Sequence, residues 1–185
     1  MQFVKGIPAE EALELLIEGN KQFVATGLDN GNYTSERRID TAENGQHPYA
    51  VIISCSDSRV IPEAIFSAGI GDIFVIRTAG NTIDNGTLGS IEYAVEHLGC
   101  NLVVVLGHTG CGAVTAALHD HKGMKVQAIL DKIVKAAGNE TDPVKVCELN
   151  VLQSVREISD DLIMDEGVSV KAAIYDLHEG TVRFI

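Results

Sequence analysis

Two short runs of uninterrupted apolar character, residues 49–54 (YAVIIS) and 101–106 (NLVVVL), constrain this 185-residue chain more than any other feature. A strand with one face in water alternates apolar and polar residues. A run without alternation is expected where both faces are covered, as in a central strand of a parallel sheet. Around these runs the spacing turns helical. Leu88, Ile91, Ala94, Val95 and Leu98 share one side of a predicted helix over 86–98. Residues 8–26 read as another, with Pro8 in its first turn, Glu10 and Glu11 near its positive end, and Gly27 as a stop.

Further strands are expected at 72–76, 168–177 and 181–185, the last two joined by the turn His178-Glu179-Gly180. A helix begins at 112–118, and residues 125–164 read as two helices split near Gly138-Asn139 and Pro143. Residues 28–48, polar with Gly, Asn and Pro, read as a loop. Strand–helix alternation predicts an α/β fold: a mainly parallel central sheet flanked by helices, with an antiparallel edge strand near the C-terminus. The length fits a single domain over 1–185.

The net charge of −12 argues against nucleic acid and anionic membranes as partners. No apolar run reaches the length of a membrane span, and Glu10, Glu11 and Glu14 interrupt the stretch where a signal peptide would be apolar. A cytoplasmic protein is expected. Its four cysteines, Cys55, Cys100, Cys111 and Cys147, lack the spacing of a disulfide scaffold, and no Cys-x-x-Cys occurs.

Chemistry concentrates just after the two apolar runs. Cys55-Ser56-Asp57-Ser58-Arg59 follows the first and His108-Thr109-Gly110-Cys111-Gly112 the second. Neighbouring parallel strands bring their carboxyl ends together, so the two stretches can meet. Two thiolates and an imidazole make a three-ligand zinc set that leaves a position for water or substrate. Asp57 could close the site as a fourth ligand. Alternatively, Arg59 could hold its carboxylate in a bidentate pair beside an open site. Cys100 and Cys147 fit no motif and read as structural thiols.

These residues resemble the β-class carbonic anhydrases. Cys55-Ser56-Asp57-Ser58-Arg59 is similar to that family's Cys-x-Asp-Ser-Arg, and residues 107–112 to its Gly-His-x-x-Cys-Gly. The segment 74–81 (FVIRTAGN) is similar to its Arg-Asn-Ala-Gly-Asn region, with Thr78 in place of the first Asn. Residues 90–95 (SIEYAV) and the stretch from Ala173 to Gly180 match a helix and the closing strand and turn.

The resemblance implies one zinc per chain, held by Cys55, His108 and Cys111, with Asp57 and Arg59 as the gate-keeping dyad. It implies substrate contacts from Gln46 and the Gly112 N–H, and an apolar pocket including Phe74, Ala79 and Tyr93. The implied activity is reversible hydration of carbon dioxide to bicarbonate by zinc-bound hydroxide. The implied assembly is a homodimer or a set of dimers, with the helix at 8–27 packed on the partner, which also supplies the Gln. Ile52 stands where the bicarbonate-inhibited subclass has Trp, so the open geometry is expected to dominate. Two thiolates lower the acidity of zinc-bound water relative to neutral imidazoles, so activity is expected to rise into the alkaline range. His119 and His121 are candidate proton relays. Hydrolysis of carbon disulfide or carbonyl sulfide at the same zinc, and a non-catalytic zinc-binding module, are the rival expectations.

Overall fold

The computed structural model describes residues 6–119, 123–161 and 167–185. The sheet has five strands: β1 (Ala50–Cys55), β2 (Ile73–Thr78), β3 (Leu102–His108), β4 (Ser169–Tyr175) and β5 (Val182–Phe184). Their order is β2-β1-β3-β4-β5. All neighbours are parallel except β4 and β5, which pair antiparallel at the edge, as the sequence predicts. Every residue of β1 and β3 is buried, which accounts for their unbroken apolar runs.

Alternate residues of these strands feed two cores. Ala50, Ile52, Leu102, Val104 and Leu106 face α1 (Ala9–Thr26), which contributes Ala12 and Leu16. Val51, Ile53, Val103 and Val105 face the opposite layer. There α4 (Asn85–Leu98) supplies Ile91 and Ala94, and α7 (Pro143–Asp161) supplies Val151 and Ile158. Burying each such side chain contributes about 1.5–3 kcal/mol. Helices α5 (Gly112–Leu118) and α6 (Gln127–Ala137) complete the α7 side, and a short α3 (Pro62–Ile65) follows β1. Helix α1 lies close against its own chain. A Cβ at Gly19 would stand 1.8 Å from the Phe66 carbonyl oxygen, so only glycine allows that approach.

One expectation fails. Residues 28–48 are not all loop, because α2 spans Ser35–Asn44. The Thr34 hydroxyl caps it by accepting the Arg37 N–H at 3.2 Å. None of its residues is buried, so it has no apolar stripe to betray it. Its anchor is polar: Arg37 donates to the Ile70 carbonyl and pairs with Asp72 at 2.9 Å. A smaller correction concerns His108, which is the last residue of β3 rather than a residue after it. Among the described residues, no helix is long and apolar enough to cross a membrane.

Candidate metal centre

Strands β1 and β3 are neighbours in register, so Cys55 and His108 end side by side at the carboxyl edge of the sheet. Cys111 caps the start of α5. The Sγ atoms of Cys55 and Cys111 and a ring nitrogen of His108 all lie within 4.8 Å of one another, and all three residues are buried. One ion with bonds of about 2.0–2.3 Å can touch such a set. The imidazole is already oriented. Its Nδ1 lies 2.9 Å from the Thr109 carbonyl, which can only accept, so Nδ1 carries the proton. The lone pair on Nε2 is then free, and Nε2 is buried with no hydrogen-bond partner among the described residues. A buried orphan acceptor facing two thiols is the arrangement a metal ion satisfies.

The thiols support that fit. Cys55 is drawn well below an ordinary thiol, chiefly by its hydrogen bond with Cys111 and further by the backbone N–H groups of Asp57 and Gly80. Those donors stand 3.4 Å and 3.3 Å from its sulfur. Cys111 moves the opposite way, held up by the same bond to Cys55 and by burial. The pair thus yields one proton readily and retains the second until a cation compensates both charges.

Asp57 stands beside this set, outside it. Arg59 grips the carboxylate through Nε at 2.9 Å and Nη2 at 2.6 Å, and the Arg59 N–H adds a bond at 3.0 Å. That grip holds Asp57 far below the usual carboxylate range. Its Oδ2 is 3.9 Å from His108 Nε2, yet Asp57 is not among the three mutually close donors. Of the two arrangements open in the sequence, the structure has the bidentate pair. Among the described residues, Arg77 pairs with no carboxylate. It donates to the carbonyls of Cys55 at 3.2 Å and Asp57 at 2.7 Å, tying down the ligand loop. Thr78 turns its hydroxyl to the Thr82 carbonyl at 2.8 Å, a local contact that replaces any amide role at that position.

The remaining candidates divide. Ala79 begins the turn that presents the Gly80 N–H to Cys55, and Gly112 opens α5 next to Cys111. Phe74 of β2 and Tyr93 of α4 pack with their rings tilted by 43° and centroids 6.3 Å apart, and Tyr93 is 47% exposed. Gln46 is exposed in the loop before β1, at the opposite end of the strand from Cys55. At about 3.3 Å per residue the strand separates them by about 17 Å, so Gln46 does not join the site of its own chain. His119 is exposed at the far end of α5, about 10 Å along the helix from Gly112. His121 lies outside the described residues.

Two buried side chains near the site escape the motifs. Asn150 and Ser154 of α7 donate to the carbonyls of Gly80 and Asn81, at 2.8 Å and 3.2 Å. Gly80 and Asn81 both have positive φ, 65° and 47°. For Asn81 that conformation costs of order 1–3 kcal/mol, so the turn must be held from outside. The available signal was a polar pair spaced four residues apart on an otherwise apolar helix face. Cys147, one turn earlier, is buried with Cys55 and Cys111, and burial pushes its thiol up to about 11.

Comparison with known proteins agrees with this geometry. The family model described as carbonic anhydrase matches residues 50–182, well over half the chain. The chain belongs to the carbonic anhydrase family. Carbonic anhydrase 2 of Mycobacterium tuberculosis is 53% identical over 107 residues, 58% of this chain and 51% of that protein. The chain spans about half the length of the mycobacterial relatives it matches. A carbonic anhydrase of Synechocystis is 32% identical, with 92% of this chain and 70% of that protein covered. Among solved structures, the β-carbonic anhydrase CafA of Aspergillus fumigatus superimposes with a TM-score of 0.74 at 29% identity. That match covers 94% of this chain and 90% of the other. A tetrameric β-carbonic anhydrase of Sordaria macrospora gives 0.74 at 25% identity, covering 82% and 87%. The family is thus the β class, as the motifs predict.

Proposed function

We propose that this chain is a zinc-dependent carbonic anhydrase that converts carbon dioxide and water to bicarbonate and a proton. The observation that carries the proposal is the convergence of Cys55, His108 and Cys111 beside an Asp57 carboxylate already committed to Arg59. Those three residues would hold the ion. When bound, it would supply Lewis acidity that makes hydroxide available well below the pH of free water, though at higher pH than with three neutral imidazoles because two of its ligands are thiolates.

The other roles belong to the chain's own residues. Asp57, ionised and able only to accept, takes a hydrogen bond from a protonated group beside it and rejects an unprotonated one. Arg59 fixes that carboxylate, and its reach to the Gly110 carbonyl at 3.2 Å ties the Asp57 loop to the Cys111 loop. The Gly112 N–H serves as a donor to substrate oxygen, while Phe74, Ala79 and Tyr93 favour a small nonpolar molecule.

Gln46 acts across an interface, reaching the site of a second copy, because its own strand holds it away. The functional unit is therefore a dimer or a set of dimers, with α1, where Leu15 is 46% and Val24 44% exposed on the two flanks of its buried face, available to the partner. Cys55, Cys100, Cys111 and Cys147 are all free, which suits a reducing, cytoplasmic setting.

Stopped-flow hydration of carbon dioxide by the zinc-loaded protein tests the proposal, with Asp57→Ala as the comparison. Turnover is expected to depend on zinc and to fall about 100-fold or more in the variant. Absence of zinc-dependent turnover across the neutral to alkaline range sinks the reading.

A further inference from the structure

Helix α7 belongs to none of the motifs, yet its buried face carries Asn150 and Ser154, each only 3% exposed. Leucine or alanine there would bury without polar cost, whereas an amide and a hydroxyl are tolerated only if bonded. Both bonds go to one turn. Asn150 Nδ2 meets the Gly80 carbonyl at 2.8 Å and Ser154 Oγ meets the Asn81 carbonyl at 3.2 Å. On its other side the same turn delivers the Gly80 N–H to Cys55 Sγ at 3.3 Å, also buried. The turn has little room to shift, since a Cβ at Gly80 would lie 3.0 Å from Ile133 Cδ1 and 3.1 Å from Ala113 Cβ.

We infer that Asn150 and Ser154 are positioning residues for the metal centre: by pinning the Gly80–Asn81 turn they aim the Gly80 N–H at the Cys55 sulfur. This rests on the zinc reading above and deepens it. An N–H pointed at a thiolate draws electron density from the sulfur, so the ligand donates less to its metal. Groups behind the ligands commonly change metal affinity 10- to 100-fold. Here the influence runs from α7 to the end of β1 through a single residue, Gly80, whose carbonyl Asn150 holds and whose N–H meets Cys55.

Cobalt(II) substitution reads this effect directly, because the sulfur-to-cobalt charge-transfer band reports how strongly the thiolates donate. Asn150→Ala is expected to move that band to longer wavelength, because the sulfur becomes more electron-rich, and to weaken zinc retention against a chelator by about 10-fold or more, because the freed turn no longer holds Cys55 in the ligand geometry. Ser154→Ala is expected to do the same to a smaller degree. Ile158→Ala, further along the same buried face and in the sheet core, is the matched control. It should lose thermal stability and leave the band in place. The inference is overturned if Asn150→Ala and Ser154→Ala destabilise the protein yet give the wild-type band and affinity. Should Asn150→Ala fail to fold, the band of Ser154→Ala decides alone. A wild-type protein without a thiolate–cobalt band would instead remove the metal reading itself, a distinct result.

Discussion

The two ends of the sheet each hold a buried cysteine, and the two thiols have opposite characters. Cys55 closes β1 at the carboxyl end and is 5% exposed; Cys100 precedes β3 at the amino end and is 1% exposed. Around Cys55 the chain turns out of strands and into turns and helix starts, so backbone N–H groups point at the sulfur. Around Cys100 the nearest polar partner is a carbonyl, and the thiol donates to Pro48 at 3.2 Å. Burial alone pushes Cys100 up to about 12, while donors outweigh burial at Cys55 and draw it down. Burial therefore does not distinguish Cys55 from Cys100; the sign of the groups facing each sulfur does.

The largest test of that contrast replaces the ligands. Cys55→Ser, Cys111→Ser and His108→Ala should each lose zinc on gel filtration and lose carbon dioxide hydration by at least about 100-fold, more than residues behind the ligands usually cost. Zinc content and stopped-flow rates measured on the same samples check this. Retention of stoichiometric zinc by Cys55→Ser would erase the distinction between the two ends.

Gln46 sharpens the contrast in another way, because it sits at the amino end yet is proposed to serve the carboxyl end of a neighbour. Gln46→Ala should lower kcat/KM about 10- to 100-fold, the range for one hydrogen bond to a charged or developing-charge partner. Mixing Gln46→Ala with inactive Cys55→Ser chains should restore turnover, since one site in each mixed dimer combines an intact Cys55 with an intact Gln46. If reassembled mixtures stay at the level of Gln46→Ala alone, the shared-site proposal falls.

What the sequence revealed follows the same division. Both ligand stretches were legible because each lies at the end of an apolar run, and parallel strands bring such ends together. The course of β1 and β3 was legible from their unbroken apolar runs, since a strand covered on both faces must be apolar, whereas β5, with no buried residue, was legible only from the turn His178-Glu179-Gly180 before it. Helix α2 was not, because it buries no residue and is held by Arg37 and Asp72. Asn150 and Ser154 were not, because their partners are backbone carbonyls about seventy residues away, and a carbonyl leaves no mark on residue type. Gln46 had no chemistry of its own in the sequence; only the family register singled it out, and the structure explains why by placing it at the opposite end of β1 from Cys55.

A smaller effect is expected from the dyad's charge. Arg59 lowers the folded-state pKa of Asp57, so the ionised pair stabilises the fold above the unfolded carboxylate value, near pH 4, and loses that contribution as pH falls further. Arg59 is more than half exposed, so solvent screening keeps the contribution small. Thermal unfolding of wild type and Asp57→Asn should therefore differ by a constant amount above about pH 5, and the difference should shrink toward more acidic pH. A difference that grows on acidification would mean that Asp57 is not ionised in the folded protein.

The smallest effect is predicted at Cys100, and it is the most direct check on the argument from facing groups. Serine keeps a donor for the Pro48 carbonyl and differs mainly in the poorer fit of a hydroxyl within the apolar cluster around Val103 and Ile91. Cys100→Ser should cost about 1 kcal/mol of stability and leave zinc content and turnover at wild-type levels. Denaturant unfolding and stopped-flow rates on one preparation decide it. A loss of zinc in Cys100→Ser would mean that the two ends of the sheet communicate through β3, and that the thiol at the amino end helps to set the position of His108.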